Sequence, residues 1–220
     1  MNRLLFWDVD TQHDFISPDG KLPVPRADAI VPRLAALTDY AHANGIRIVA
    51  STEEHLPGDA EFSDQPDFET TWPPHCIRGT PGQQKIPETT LQDALAIGFE
   101  RQEPEVLRLG LSRHSGDLLI LKRHFDVFSN PNTDTVVRAL DPEAVVVYGL
   151  PLEICVRHVV EGWLARRPHT RLFVVTDAVK AVRYELGEHA LRDWGDEGVR
   201  LVKAEEIVWG GTLETWLELA

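Results

Sequence analysis

Short runs rich in Val, Ile, Leu and Phe recur along the chain at 4–9 (LLFWDV), 46–51 (IRIVAS), 117–122 (DLLILK), 144–149 (AVVVYG), 171–176 (RLFVVT) and 199–203 (VRLVK). They are apolar on both faces, as strands buried under helices on two sides should be. Between most of them the period changes to that of a helix. In 27–45 (ADAIVPRLAALTDYAHANG) residues Ile30, Leu34, Leu37 and Ala41 share one face, and Asn44-Gly45 supplies a stop. Residues 152–166 are apolar nearly all round and predict a largely buried helix; 183–194 and 212–219 predict two later ones. Strand and helix in alternation predict an α/β fold, a three-layer αβα sandwich on a mostly parallel sheet of about six strands with right-handed crossovers.

One segment breaks the rhythm. Residues 53–89 are rich in Pro, Gly, Asp and Thr with no sustained periodicity. Loops beyond about 12–15 residues are uncommon in compact domains and are often functional. No polar linker or composition break divides the 220 residues, so the expectation is one domain over 1–220 with a long functional loop at about 53–89.

Charge narrows the partners. With 35 acidic against 22 basic residues the net charge is -13, and no Lys/Arg block appears, which argues against nucleic acid and anionic membrane. No segment approaches the roughly 20 apolar residues of a membrane helix. Two cysteines in unrelated contexts make neither a disulfide framework nor a zinc pattern, and a reducing cytoplasm is the simplest home.

In an open parallel sheet ligands sit beyond the carboxyl ends of the strands. The first run is followed by Asp10, the second by Glu53 and His55, the third ends in Lys122, and the fourth leads through Gly149 to Cys155. A cysteine near a helix N-terminus gains from unpaired N–H groups and the helix dipole, which favour a thiolate, and the same donors can hold an oxyanion. A lone cysteine on an apolar helix more often only packs. Asp10 has the chemistry of a general base and acid for such a thiol, or of a turn cap. Lys122 would hold a thiolate or orient the base, or else snorkel to water. Glu53 and His55, at i and i+2, point the same way in extended chain. With His75 from the long loop they make two imidazoles and a carboxylate, a set that leaves open positions on one divalent metal ion, zinc foremost, with manganese or iron as alternatives. Cys76, beside His75, reads as packing.

Together these segments resemble the nicotinamidase and isochorismatase-like cysteine hydrolases, and the likeness keeps one order over most of the chain. DTQHDF at 10–15 is similar to the family's D-x-Q-x-D-F, WPPHCIRGTPGQ at 72–83 to its W-P-x-H-C-x-x-G-T-x-G, LKRHFDVF at 121–128 to its lysine segment, and GLPLEICV at 149–156 to its glycine-to-cysteine elbow. The resemblance implies the isochorismatase-like hydrolase fold and an Asp10, Lys122, Cys155 triad that hydrolyses a C–N amide through a thioester. It also implies metal ligands Glu53, His55 and His75, and Phe15 and Trp72 as walls for an aromatic ring. The nicotinamidase branch is the nearest, which makes nicotinamide the leading small-molecule amide substrate. Relatives of this kind are often dimers or larger, so a homo-oligomer is expected.

Three departures qualify the likeness. Glu53 stands where that branch normally has Asp. Asp59 and Glu61 occupy a stretch where a second histidine is common. Pro151 follows a peptide bond that is cis in the family, where an N–H would join the oxyanion hole; proline makes cis cheaper but has no N–H. A cis Leu150–Pro151 bond is expected, and either another donor, such as the N–H of Leu152 or Cys155 with a side chain or water, replaces the missing one, or the chemistry is slower or different. The alternatives are a ureido or carbamoyl amidase, an isochorismatase-type vinyl ether hydrolase, or a catalytically silent metal- or ligand-binding relative. A nucleotide-binding Rossmann domain lacks its glycine motif here.

Overall fold

The computed structural model describes residues 4–211 together with Leu213 and Thr215. The chain builds β1 (Leu4–Val9), β2 (Arg47–Glu53), β3 (Leu95–Ile97), β4 (Leu118–Lys122), β5 (Ala144–Gly149), β6 (Arg171–Val179) and β7 (Arg200–Val202). The strands join in the order β3-β4-β2-β1-β5-β6-β7, and every pair runs parallel. The sheet therefore has seven strands instead of about six. The added one, β3, is three residues long and pairs only with β4 at the sheet edge, too short to register as a periodic run.

Helices cover both faces, and strand alternation decides which side chain meets which layer. Leu5, Trp7 and Val9 of β1 join Val145 and Val147 of β5 against α3 (Pro104–Arg113), α4 (Thr133–Leu140), α5 (Arg157–Arg166) and α6 (Tyr184–Asp196). Leu4 and Phe6 face the other way with Val146 and Tyr148, against α1 (His13–Ile16), α2 (Val31–Ala43) and α7 (Ala204–Val208). Trp7 meets Trp163 of α5 edge-on, ring centroids 5.7 Å apart.

One helix expectation is corrected and one is not tested. Residues 152–166 open with a single wide π-type turn, Leu152–Val156, before α5 begins. The helix is buried on one side only: Arg157 and Glu161 pair with each other in solvent while Val159, Val160 and Trp163 pack inward. The helix expected over 212–219 lies outside the described residues apart from Leu213 and Thr215.

The chain leaves β1 toward β2 on one side and returns as β5 on the other. That reversal opens a crevice at the carboxyl ends of β1, β2, β4 and β5, where the polar strand ends gather. Gly149 closes it tightly: at φ 118° a Cβ there would stand 2.1 Å from the carbonyl oxygen of Val9.

Candidate active site

Register alone brings the first charges together. Glu53 and Lys122 are direct partners across the β2–β4 ladder, and the N–H of Asp10 donates to Ser51 O just past the end of β1. The Lys122 ammonium lies 2.8 Å from Asp10 Oδ2, 2.7 Å from Glu53 Oε1 and 3.5 Å from Cys155 Sγ. Cys155 Sγ is 3.7 Å from Glu53 Oε1, and the Ser51 hydroxyl donates to Asp10 Oδ1. All four side chains are buried. Asp10 holds φ 50°, a left-handed conformation that short polar residues tolerate best.

Burial and charge pull these groups in different directions. Burial lifts the Asp10 carboxyl above the ordinary carboxylate range, against the pull of Lys122 and helped by Glu53. Burial would raise Glu53 as well, but Lys122 and the hydrogen bonds of His55 and His75 hold it well below. Burial alone would strip Lys122 of its proton; Asp10, Cys155 and Glu53 outweigh it and hold the ammonium well above its usual range. Burial pushes the Cys155 thiol well up, with Lys122 opposing and both carboxylates reinforcing. Cys155 is thus held as a thiol beside a carboxylate of raised affinity for protons.

Glu53 also faces the other way. Its Oε2 is 3.3 Å from His55 Nε2 and 3.1 Å from His75 Nε2. Ligand atoms on a tetrahedral zinc with bonds of about 2.0 Å stand roughly 3.3 Å apart, so this trio has the spacing of a metal site. The far nitrogens are committed: His75 Nδ1 donates to Pro73 O at 2.8 Å, and His55 Nδ1 meets Glu61 at 2.8 Å and Asp59 at 3.3 Å. Outer partners of this kind turn Nε2 lone pairs toward a metal, and Asp59 and Glu61 stand in that outer position at His55. Without a metal, burial would lower His55, but Glu53 and Glu61 raise it to about 9.

The segment at 10–15 pins both halves. The Gln12 amide accepts from Glu53 N at 2.7 Å and donates to Glu53 O at 2.8 Å and Gln83 O at 2.6 Å, a two-way clamp on the glutamate backbone. Asp14 accepts from Cys76 N at 2.7 Å, which fixes the peptide after His75. Cys76 itself is buried, its thiol pushed up by burial, and it packs as expected.

At the elbow the Leu150–Pro151 bond is cis. Pro151 O accepts from Ile154 N and Val156 N, and Leu152 N donates to Lys180 O at 2.8 Å. Leu152 is therefore spent and does not supply the donor missing at Pro151, contrary to one of the two expectations above. Among the described residues, no backbone acceptor outside the turn itself takes the N–H of Glu153 or Cys155. These two are the donors left at the start of the helix.

Above Cys155 a cavity of about 570 Å³ opens, with Glu53 and His75 at its base and Phe15, Trp72 and Phe125 among its walls. Trp72 stands edge-on to Phe125 at 5.1 Å, and Phe15 packs on His75 at 5.5 Å. The structure thus gathers Asp10, Lys122, Cys155, Glu53, His55, His75, Phe15 and Trp72 around one crevice. Gln12 and Asp14 stood in the DTQHDF stretch without an assigned role, while Ser51, Phe125 and Phe62, which packs against both histidine rings, were not singled out from the sequence. Phe125 had a signal, three residues past Lys122; Ser51 and Phe62 act through contacts that no spacing reveals.

A protein-family model described as Isochorismatase domain matches residues 4–104 and 98–206. The nicotinamidase/pyrazinamidase of Mycobacterium tuberculosis (strain ATCC 25618 / H37Rv) is 38% identical over 97 residues, covering 42% of this chain and 48% of that one. The aligned stretch thus spans about half the length of that relative. The nicotinamidase of Escherichia coli (strain K12) is 25% identical over 212 residues, covering 88% and 91%. A crystal structure of the pyrazinamidase of Pyrococcus horikoshii in complex with zinc superposes with a TM-score of 0.72 at 23% identity, over 91% of this chain and 99% of that one, a likeness of fold.

Proposed function

The chain belongs to the isochorismatase domain family, and on that premise we propose that it is an amidohydrolase of small carboxamides, with nicotinamide to nicotinate and ammonia as the leading reaction. One observation carries this reading: a buried lysine stands within 2.8 Å of a carboxylate and 3.5 Å of a thiol, at the base of a cavity walled by aromatic rings.

Asp10 takes the Cys155 proton as the sulfur attacks the amide carbonyl. The transfer leaves the net charge of the buried cluster unchanged, so no ion has to enter from water. Lys122 stays protonated and stabilises the thiolate as it forms. The N–H groups of Cys155 and Glu153 receive the oxyanion. Asp10 returns the proton to the leaving ammonia, draws one from the water that cleaves the thioester, and gives it back to the Cys155 thiolate as the acid product leaves. Glu53, His55 and His75 would hold a divalent ion, zinc foremost, which when bound supplies a Lewis-acid seat for a ring nitrogen. Phe15 and Trp72 orient the ring, and burial of the thiol excludes bulk water from the intermediate.

The test is ammonia release across small carboxamides, ureides and carbamoyl amides. Nicotinamide should be turned over and Cys155→Ala should be inactive. A ureide preferred over every ring amide would replace the substrate assignment with a carbamoyl amidase, and absence of turnover throughout would favour a silent ligand-binding relative.

A further inference from the structure

The cavity has an outer half that a bare ring carboxamide would leave empty. Its inner part is the aromatic box over Cys155; its outer half is marked by the exposed Phe68, Val182 and Leu186. Phe68, Val182 and Leu186 are 55%, 47% and 45% exposed, and they ring the mouth of one cavity instead of scattering over the surface. Contiguous exposed apolar surface at a concave site marks ligand contact.

Both sides of this mouth are held in place. Asp67 accepts from the N–H groups of Glu69, Thr70 and Thr71, and Phe68 N donates to Thr71 O, which fixes Phe68 at φ 57°. A bulky residue rarely adopts that left-handed conformation, and such outliers persist where their surroundings enforce them. Across the mouth, the Glu153 carboxylate accepts from Val182 N and Arg183 N, and so ties the 180–186 segment to the cysteine elbow. With Glu153 committed to backbone, this wall offers contact area, while Glu69 and Arg183, opposite in sign, stand exposed at the rim. At about 570 Å³ the space suits a drug-sized ligand.

We propose that the outer half is a subsite for an apolar substituent on the acyl side of the substrate, so that the preferred substrate is an aromatic carboxamide with an apolar extension. The inference rests on the amidohydrolase reading above and names its substrate class. Phe68, Val182 and Leu186 are its specificity determinants.

The experiment compares kcat/KM for nicotinamide with that for nicotinamides carrying methyl, butyl and phenyl groups on the ring. The phenyl compound should exceed the bare amide by roughly 10- to 100-fold, the worth of burying one large apolar group. In Leu186→Glu and Val182→Asp that ratio should fall by about 10-fold or more. Equal or poorer use of the extended amides, or variants that leave the ratio unchanged, would overturn the proposal. If no ring amide is hydrolysed, the amidohydrolase reading fails by itself. Calorimetric binding of the same series to Cys155→Ala then decides the subsite, which stands if phenyl binds tighter than the bare ring and falls if it does not.

Discussion

Replacing Lys122 by Met tests the electrostatic core of the site. The ammonium is fully buried between Asp10 at 2.8 Å and Glu53 at 2.7 Å. Methionine nearly matches the stem in volume, so the loss is charge and hydrogen bonding, with little cavity. Two charge-assisted bonds vanish and two buried carboxylates lose their cation, a change that costs about 3–5 kcal/mol. In a chain of this size each kcal/mol moves the melting temperature by roughly 2–4 °C, so a drop of about 6–20 °C is expected at neutral pH. The pH dependence has a definite sign. Glu53 is held well below its ordinary 4.5 in the native protein, so its contribution is present above that pH and is lost as pH falls through the native value. In Lys122→Met the chief depressing charge is gone and burial raises both carboxyls, so the variant recovers stability as they take up protons above the ordinary carboxylate range, and the gap between variant and parent should narrow as pH falls from 7 toward 4. Urea unfolding of metal-stripped protein from pH 4 to pH 7 measures it. A difference under about 1 kcal/mol at pH 7, or one that does not change with pH, would refute the reasoning.

Three further outcomes follow from the same geometry. Gln12→Ala removes three hydrogen bonds, two of them buried, around Glu53 and Gln83; zinc affinity, read by chelator competition, should fall about 10-fold while Cys155 still reacts with a small alkylating agent. Gly149→Ala drives a Cβ into Val9 O at φ 118° and should lower stability by more than about 3 kcal/mol or abolish soluble expression, read by thermal melting. Metal-free protein gains stability from protonated His55 below pH 6.5 and loses it as pH rises through about 9, so competition titrations should show zinc binding strengthening over that window.

Much of this was legible in the chain. The apolar runs mark six of the seven strands because a strand buried on both faces needs no partner to reveal it. The residues at the ends of those runs gather at one crevice, because a parallel sheet collects its carboxyl ends on one edge. Glu53 and His55 share a face through the period of extended chain alone. What stayed hidden depends on distant contacts. The 53–89 segment is folded on itself by bridges of His55 with Ile77 and Phe62 with Trp72, and its Lys85 bridges to Gln12. No periodicity announces these. The double role of Glu53, toward Lys122 with one oxygen and toward the histidines with the other, comes from cross-strand register and the length of its side chain. Leu152 looked free as a donor because its acceptor, Lys180, lies on a segment far along the chain.

The central claim is that Cys155 carries the substrate's acyl group. Acid-quenched reactions with a turned-over carboxamide, read by peptide mass spectrometry, test it most directly. An acyl adduct is expected on the peptide containing Cys155, absent in Cys155→Ala and lost when hydrolysis runs to completion. Ammonia release at the parental rate from Cys155→Ala, with no adduct on any peptide, would contradict it.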